Sequence, residues 1–409
     1  MVMRLNIELY SIKDKLFIFL LSLILGLPEA SDNSYTLGVI KISNNALYIS
    51  DILTVFLLIA LTIYIIKYDK VNKGIGLIII LYTLLLLIPL FIGISDSNNI
   101  FKIIADLRGA VFIIIMYFYY EYLNKAKDRL TYKVNLAILN SVIFFTLILF
   151  LLWLIKPSFI YLNSGRISYK SLNLVTLSTY ISYTNILNKR YKILSKVVLF
   201  LSIILNIFGG FRVLLSIQLL LILVLSVKYL KMTYKKLICF FILIFTVSII
   251  LFTVSEFLRK ISVLYIRFIY LIFNFKNDYS VVTRLNDIQT IFRELKKHVI
   301  FGTGFGKEIL LSTTGSKNLF IDNLYFTLLL KLGVIGFILL IFIYFILFIW
   351  LRKSINYELF ILLFILLVFE SFFSASIWYD HIYPIALFLY IAEELHNFKI
   401  IKYSYVNMD

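Results

Sequence analysis

Acidic residues are scarce in this 409-residue chain: 22 Asp and Glu stand against 40 Lys and Arg, and only 15% of residues are charged. Soluble domains carry about a quarter. With 62% hydrophobic residues and a mean hydropathy of +0.97, so little charge excludes an ordinary soluble protein. Cysteine is limited to Cys239, inside an apolar run, which excludes a disulfide scaffold and any redox pair. Histidine is limited to His298, His381 and His396, scattered and without a paired His, Cys or carboxylate spacing, so neither a metal nor a cofactor is expected. The net charge of +18 comes with no recognisable nucleic-acid-binding fold. It is read instead as the orienting loop charge of a membrane protein, with no nucleic acid as partner.

Apolar runs are abundant. A hydrocarbon core ~30 Å thick takes ~20 apolar residues per helix. That criterion predicts twelve spans: 16–28, 47–66, 74–94, 107–123, 134–155, 171–187, 196–208, 211–227, 237–258, 326–350, 357–375 and 381–396. The first, seventh and twelfth are short, which leaves eleven open. The apolar run after Lys13 and Lys15 also has the form of a cleaved signal peptide. The many spans that follow it favour an uncleaved first helix. The expected fold class is therefore an all-α polytopic membrane protein, a single membrane domain over 1–409.

Basic residues alternate from one side to the other. One set of segments holds Lys67, Lys70 and Lys73; Lys125, Lys127, Arg129 and Lys133; Lys189, Arg190, Lys192 and Lys196; and Lys228, Lys231, Lys235 and Lys236. The short segments opposite hold only Lys41, Lys102, Arg108, Lys156, Arg166, Lys170 and Arg212. The basic side faces the cytoplasm, so both termini are expected there, and the long loop 259–322 between spans nine and ten is expected outside. Within that loop, 257–275 reads as a helix lying at the membrane interface. Leu285, Ile288, Ile291, Phe292, Leu295 and Val299 recur at helical spacing and predict a second amphipathic helix.

The turn Gly302-Thr303-Gly304-Phe305-Gly306 follows a helix, where a dinucleotide loop would follow a strand. It reads as a plain glycine turn. Arg212, after Gly209-Gly210-Phe211, must lie at an external membrane face, as a snorkelling anchor or a functional cation. Glu370 lies inside the eleventh span near its outer end, where a structural ion pair and a functional carboxylate are equal readings. Asp380 and His381 read as a solvated turn. Asp322-Asn323 opens the tenth span, as a helix cap or as a site. Lys331 is a buried cation if that helix is straight, and lies near the aqueous side if it breaks near Gly333 and Gly336.

The order of these features resembles the O-antigen polymerase and ligase superfamily. Gly209-Gly210-Phe211-Arg212 comes first, then Arg284, His298 and the Gly302–Gly306 turn, then Asp322-Asn323-Leu324-Tyr325 with Gly333 and Gly336-Phe337. The resemblance covers 208–350. Asp322 stands where the ligase branch carries histidine, which favours the polymerase, and Val299 replaces a common proline. The resemblance implies a metal-independent glycosyltransferase of the bacterial inner membrane, working on its outer face in O-antigen (lipopolysaccharide) or capsule synthesis. A growing glycan would pass from undecaprenyl diphosphate to the next lipid-linked repeat unit, with a chain-length regulator protein as a further partner. Arg212 and Arg284 would hold the diphosphate, since guanidinium groups bind phosphate bidentately and stay charged. Asp322 or Glu370 would take the acceptor proton. His298, Asn323, Tyr325 and Arg293 would contact substrate. The competing readings are a flippase for lipid-linked oligosaccharide and an O-antigen ligase.

Overall fold

The computed structural model describes residues 11–28, 39–42, 45–68, 73–125, 130–155, 172–209, 212–229, 279–311 and 315–354, and, with short interruptions, 359–406. The predicted ninth span and the interfacial helix over 257–275 lie outside these residues, as does His381. The chain divides into two compact units, one of 1–39 with 133–278 and one of 40–132 with 279–409.

The first unit contains α1 (Ile12–Leu25), α5 (Lys133–Ile155), α6 (Leu172–Leu187), α7 (Lys192–Gly209) and α8 (Arg212–Tyr229). Ser11 caps α1, reciprocated by Asp14 in a capping box. α6 is buried nearly throughout and carries hydroxyls and amides on its buried faces. Ser178 meets Ser202 of α7 at 2.7 Å. Asn206 donates to Thr176 and to Gln218, both at 3.1 Å, and Gln218 donates to Thr179 at 2.6 Å. Between apolar helices such bonds supply the attraction that hydrophobic burial supplies in water.

The second unit contains α2 (Ile49–Tyr68), α3 (Lys73–Ser95), α4 (Ile100–Lys125), α9 (Tyr279–Leu295), α10 (Leu324–Ser354), the single turn α11 (Ser376–Tyr379) and α12 (Ile382–Val406). Strands add to the helical class: β1 (Val39–Ile42) pairs with β2 (Asn45–Tyr48), and β3 (Ile309–Leu310) pairs antiparallel with β4 (Lys317–Asn318) inside the long loop. Gly76–Ser95, Lys133–Ile155 and Leu324–Ile346 are long and apolar enough to cross a membrane. Of the other described helices, α1, α2, α4, α6, α7, α8 and α12 overlap predicted apolar runs, although α4 starts earlier and α12 runs further, and α9 overlaps the predicted amphipathic helix.

α10 is not continuous. Gly333 has φ 68° and ψ −179°, which interrupts the ladder one-third of the way along. A regular helix would bond the N–H groups of Val334 and Ile335 to the carbonyls of Leu330 and Lys331. Here the loop before the helix takes all four groups. Val334 N–H donates to Val299 O at 2.9 Å and Ile335 N–H to Ile300 O at 3.3 Å. Thr303 N–H donates to Leu330 O at 2.9 Å and Gly304 N–H to Lys331 O at 3.1 Å. Buried backbone must be paired, most strictly where no water reaches it, and the loop repairs the break it fills. The amphipathic helix stops at Leu295, short of the predicted Val299, which lies in the loop segment bonded to α10.

Candidate functional site

α9 forms because its apolar residues share one face. Ile291 and Leu295 pack with Ile309, Ile321 and Leu330 in a buried cluster, flanked by Ile288 and Phe326. Phe292 meets Phe326 edge to face at 5.5 Å. This packing lays α9 against the first turns of α10 and fixes Arg284 beside the approach to that helix. Asn323, not Asp322, is the cap. Its side-chain oxygen accepts from Phe326 N–H at 3.1 Å, and its carbonyl accepts from Thr327 N–H at 3.2 Å. Asn323 is thereby buried and turned into the helix start, while Asp322 is 66% exposed. Asp322 Oδ2 lies 3.6 Å from Arg284 Nη2, and the Arg284 side chain is 29% exposed. Arg284 Nε is buried without a hydrogen-bond partner among the described residues. The guanidinium thus keeps unused donor capacity beside a carboxylate held at salt-bridge distance. Of the sequence-predicted residues, these two are brought together.

The others are placed differently. Glu370 is 1% exposed and accepts from Tyr383 Oη–H at 2.9 Å. Tyr325 is half-buried and hydrogen-bonds Ser371, the neighbour of Glu370. His298 and Arg293 are exposed, Arg293 in the last turn of α9 and His298 in the loop just beyond it. Arg212 is the first residue of α8, in the other unit. Among the described residues, no three His, Cys, Asp or Glu side chains gather as a metal site would need.

A second charged centre lies under the glycine turn, where Lys331 is buried and not near the aqueous side, although α10 breaks at Gly333. Asp106 of α4 and Lys331 of α10 are both fully buried and pair at 2.9 Å. Every other atom of the pair that needs a partner finds one. Tyr379 Oη donates to Asp106 Oδ1 at 2.7 Å, Gly306 N–H donates to Oδ2 at 2.5 Å, and Lys331 also donates to the Lys307 carbonyl. Trp378 Nε1 donates to the Asp106 carbonyl at 2.7 Å. Burial and the adjacent carboxylate push the Tyr379 phenol well above its usual range, so it stays a donor. Two residues further along α4, Arg108 meets Asp51 through Nε at 2.7 Å and Nη2 at 3.0 Å, a bidentate pair.

Glycines let this centre assemble. A Cβ on Gly304 would lie 2.5 Å from Gly93 N, and one on Gly93 would lie 2.2 Å from Phe305 O. Phe305 N–H donates to the Pro89 carbonyl at 2.9 Å, so the turn seats on α3 at its proline. The Gly302–Gly306 turn, which reads in sequence as a plain glycine turn, is therefore a buried docking element. The signal for the ion pair was Lys331, a lone charge in an apolar run, whereas Asp106 stands among Lys102 and Arg108 and gives no such signal.

No family model matches the chain, and no curated protein is significantly similar to it.

Proposed function

We propose that the chain is a polymerase of lipid-linked oligosaccharide repeat units, a twelve-span protein of the bacterial inner membrane with both termini in the cytoplasm. The Arg284–Asp322 pair carries this reading: a cation with spare donors and an exposed carboxylate meet where α9 reaches the mouth of α10. At 3.6 Å and half in solvent the pair is weak, worth ~0–1 kcal/mol. A diphosphate displaces the carboxylate from Arg284 at little cost and leaves Asp322 free as a base. The acceptor hydroxyl oxygen then attacks the anomeric carbon of the donor glycan while the bond from that carbon to the diphosphate oxygen breaks. The hydroxyl proton passes to Asp322, and undecaprenyl diphosphate leaves with part of its charge offset by Arg284. Asp322 is preferred to Glu370 because Glu370 is buried and already accepts from Tyr383.

The test is glycan length in a strain whose surface polysaccharide depends on this gene. Arg284→Ala, at unchanged protein level, leaves glycans one repeat unit long, and Asp322→Asn does the same. Wild-type length distributions from both variants reject the assignment. Complete loss of surface glycan points to a flippase instead, and full-length polymer retained on its lipid carrier points to a ligase.

A further inference from the structure

α1 and α5 lean on each other closely at Gly26, where a Cβ would lie 2.9 Å from Phe144 Cβ and from the Ser141 carbonyl. Nearer their N-terminal ends they leave a cavity of about 350 Å³. Its walls are Ile18 and Phe19 on one helix and Ile143 and Phe144 on the other, with the two phenyl rings edge to face at 6.0 Å. Two polar side chains line it, those of Lys15 and Asn140. Neither has a hydrogen bond or ion pair among the described residues.

Lys15 is not neutralised by its neighbour. Asp14 is taken by Lys133, which bonds it directly, and by the Ser11 cap. Lys13 lies two residues earlier, roughly 200° around the helix, and so belongs to another face. The flank of α1 beside the cavity exposes Leu16, Leu20 and Leu23. A ligand for this place needs an anionic group for the lysine, an acceptor for the asparagine amide, and an apolar chain for the walls and the flank. Basic pockets between apolar helices at a membrane face take lipid headgroups in this way.

We infer that the Lys15–Asn140 cavity between α1 and α5 is a binding site for an anionic phospholipid, with its phosphate between the two polar side chains and an acyl chain along Phe19 and Phe144. On the charge asymmetry of the loops this is a lipid of the cytoplasmic leaflet. The inference is independent of the polymerase reading, since it concerns the opposite face and no proposed catalytic residue.

The purified full-length chain in detergent is titrated with phosphatidylglycerol or phosphatidylcholine. Thermal unfolding and native mass spectrometry are the readouts. Phosphatidylglycerol is retained one to one and raises Tm, whereas phosphatidylcholine does neither. Lys15→Ala weakens retention about fivefold, the effect of one basic residue at a lipid surface. Asn140→Leu weakens it while leaving the lipid-free Tm unchanged, and Lys13→Ala retains the lipid as wild type does. Equal retention of both lipids overturns the inference, as does an equal loss in Lys13→Ala, which means diffuse surface charge. So does an absence of retention in the wild type.

Discussion

At the scale of single residues, the strongest constraint is the pair Asp106–Lys331. Each charge alone is expensive among apolar helices, and each finds its partner 225 positions away. Removing one partner leaves the other uncompensated, at a cost of about 3–5 kcal/mol. Lys331→Met therefore lowers the Tm and the folded yield in detergent, read by size-exclusion chromatography. Adding Asp106→Leu recovers only part of the loss, because Gly306 N–H and Tyr379 Oη then have no acceptor. A Lys331→Met protein as stable as wild type rejects this account. Arg284 and Asp322 sit at the other extreme. Their pair is half in solvent and long, so Arg284→Ala is expected to cost little stability and to act on chemistry alone.

At the scale of elements, α10 and the loop before it are one folding unit. The four backbone groups freed at Gly333 are bonded by residues 299–304, so neither segment is satisfied without the other. Gly333→Ala meets two obstacles. Its φ of 68° with ψ −179° is a conformation essentially reserved for glycine, costing an L-residue ~1–3 kcal/mol, and its Cβ would lie 2.3 Å from the Ile300 carbonyl. Gly336→Ala keeps ordinary helical φ and meets at closest Leu332 Cβ at 2.9 Å, within its own helix. Limited proteolysis of the loop should therefore accelerate strongly in Gly333→Ala and much less in Gly336→Ala. Equal protection in both would show that the loop does not depend on the break.

At the scale of the whole molecule, the proposed orientation makes a topological claim. With Cys239→Ser as background, single cysteines replace Lys317 and Lys189. Lys317 is exposed on β4 of the long loop, and Lys189 lies in the turn between α6 and α7. A membrane-impermeant maleimide labels Lys317→Cys in intact spheroplasts and labels Lys189→Cys only after permeabilisation. Labelling of both from outside contradicts the alternation of basic loops on which the orientation rests.

The amino-acid sequence alone determined where most of the described helices lie, because an apolar run or an amphipathic repeat of helix length is a local property. It also marked Arg284 and Asp322, since both lie in one ordered stretch of motifs. Tertiary structure decided what could not be local. It turned Asn323 inward as the cap and left Asp322 exposed, buried Glu370 against Tyr383, and joined Asp106 to Lys331. It made a structural seat of Gly302–Gly306. A glycine turn looks the same in sequence whether it meets water or a broken helix. Only the arrival of α3, α4 and α10 around it, with carbonyls and amides left to pair, gives it its role.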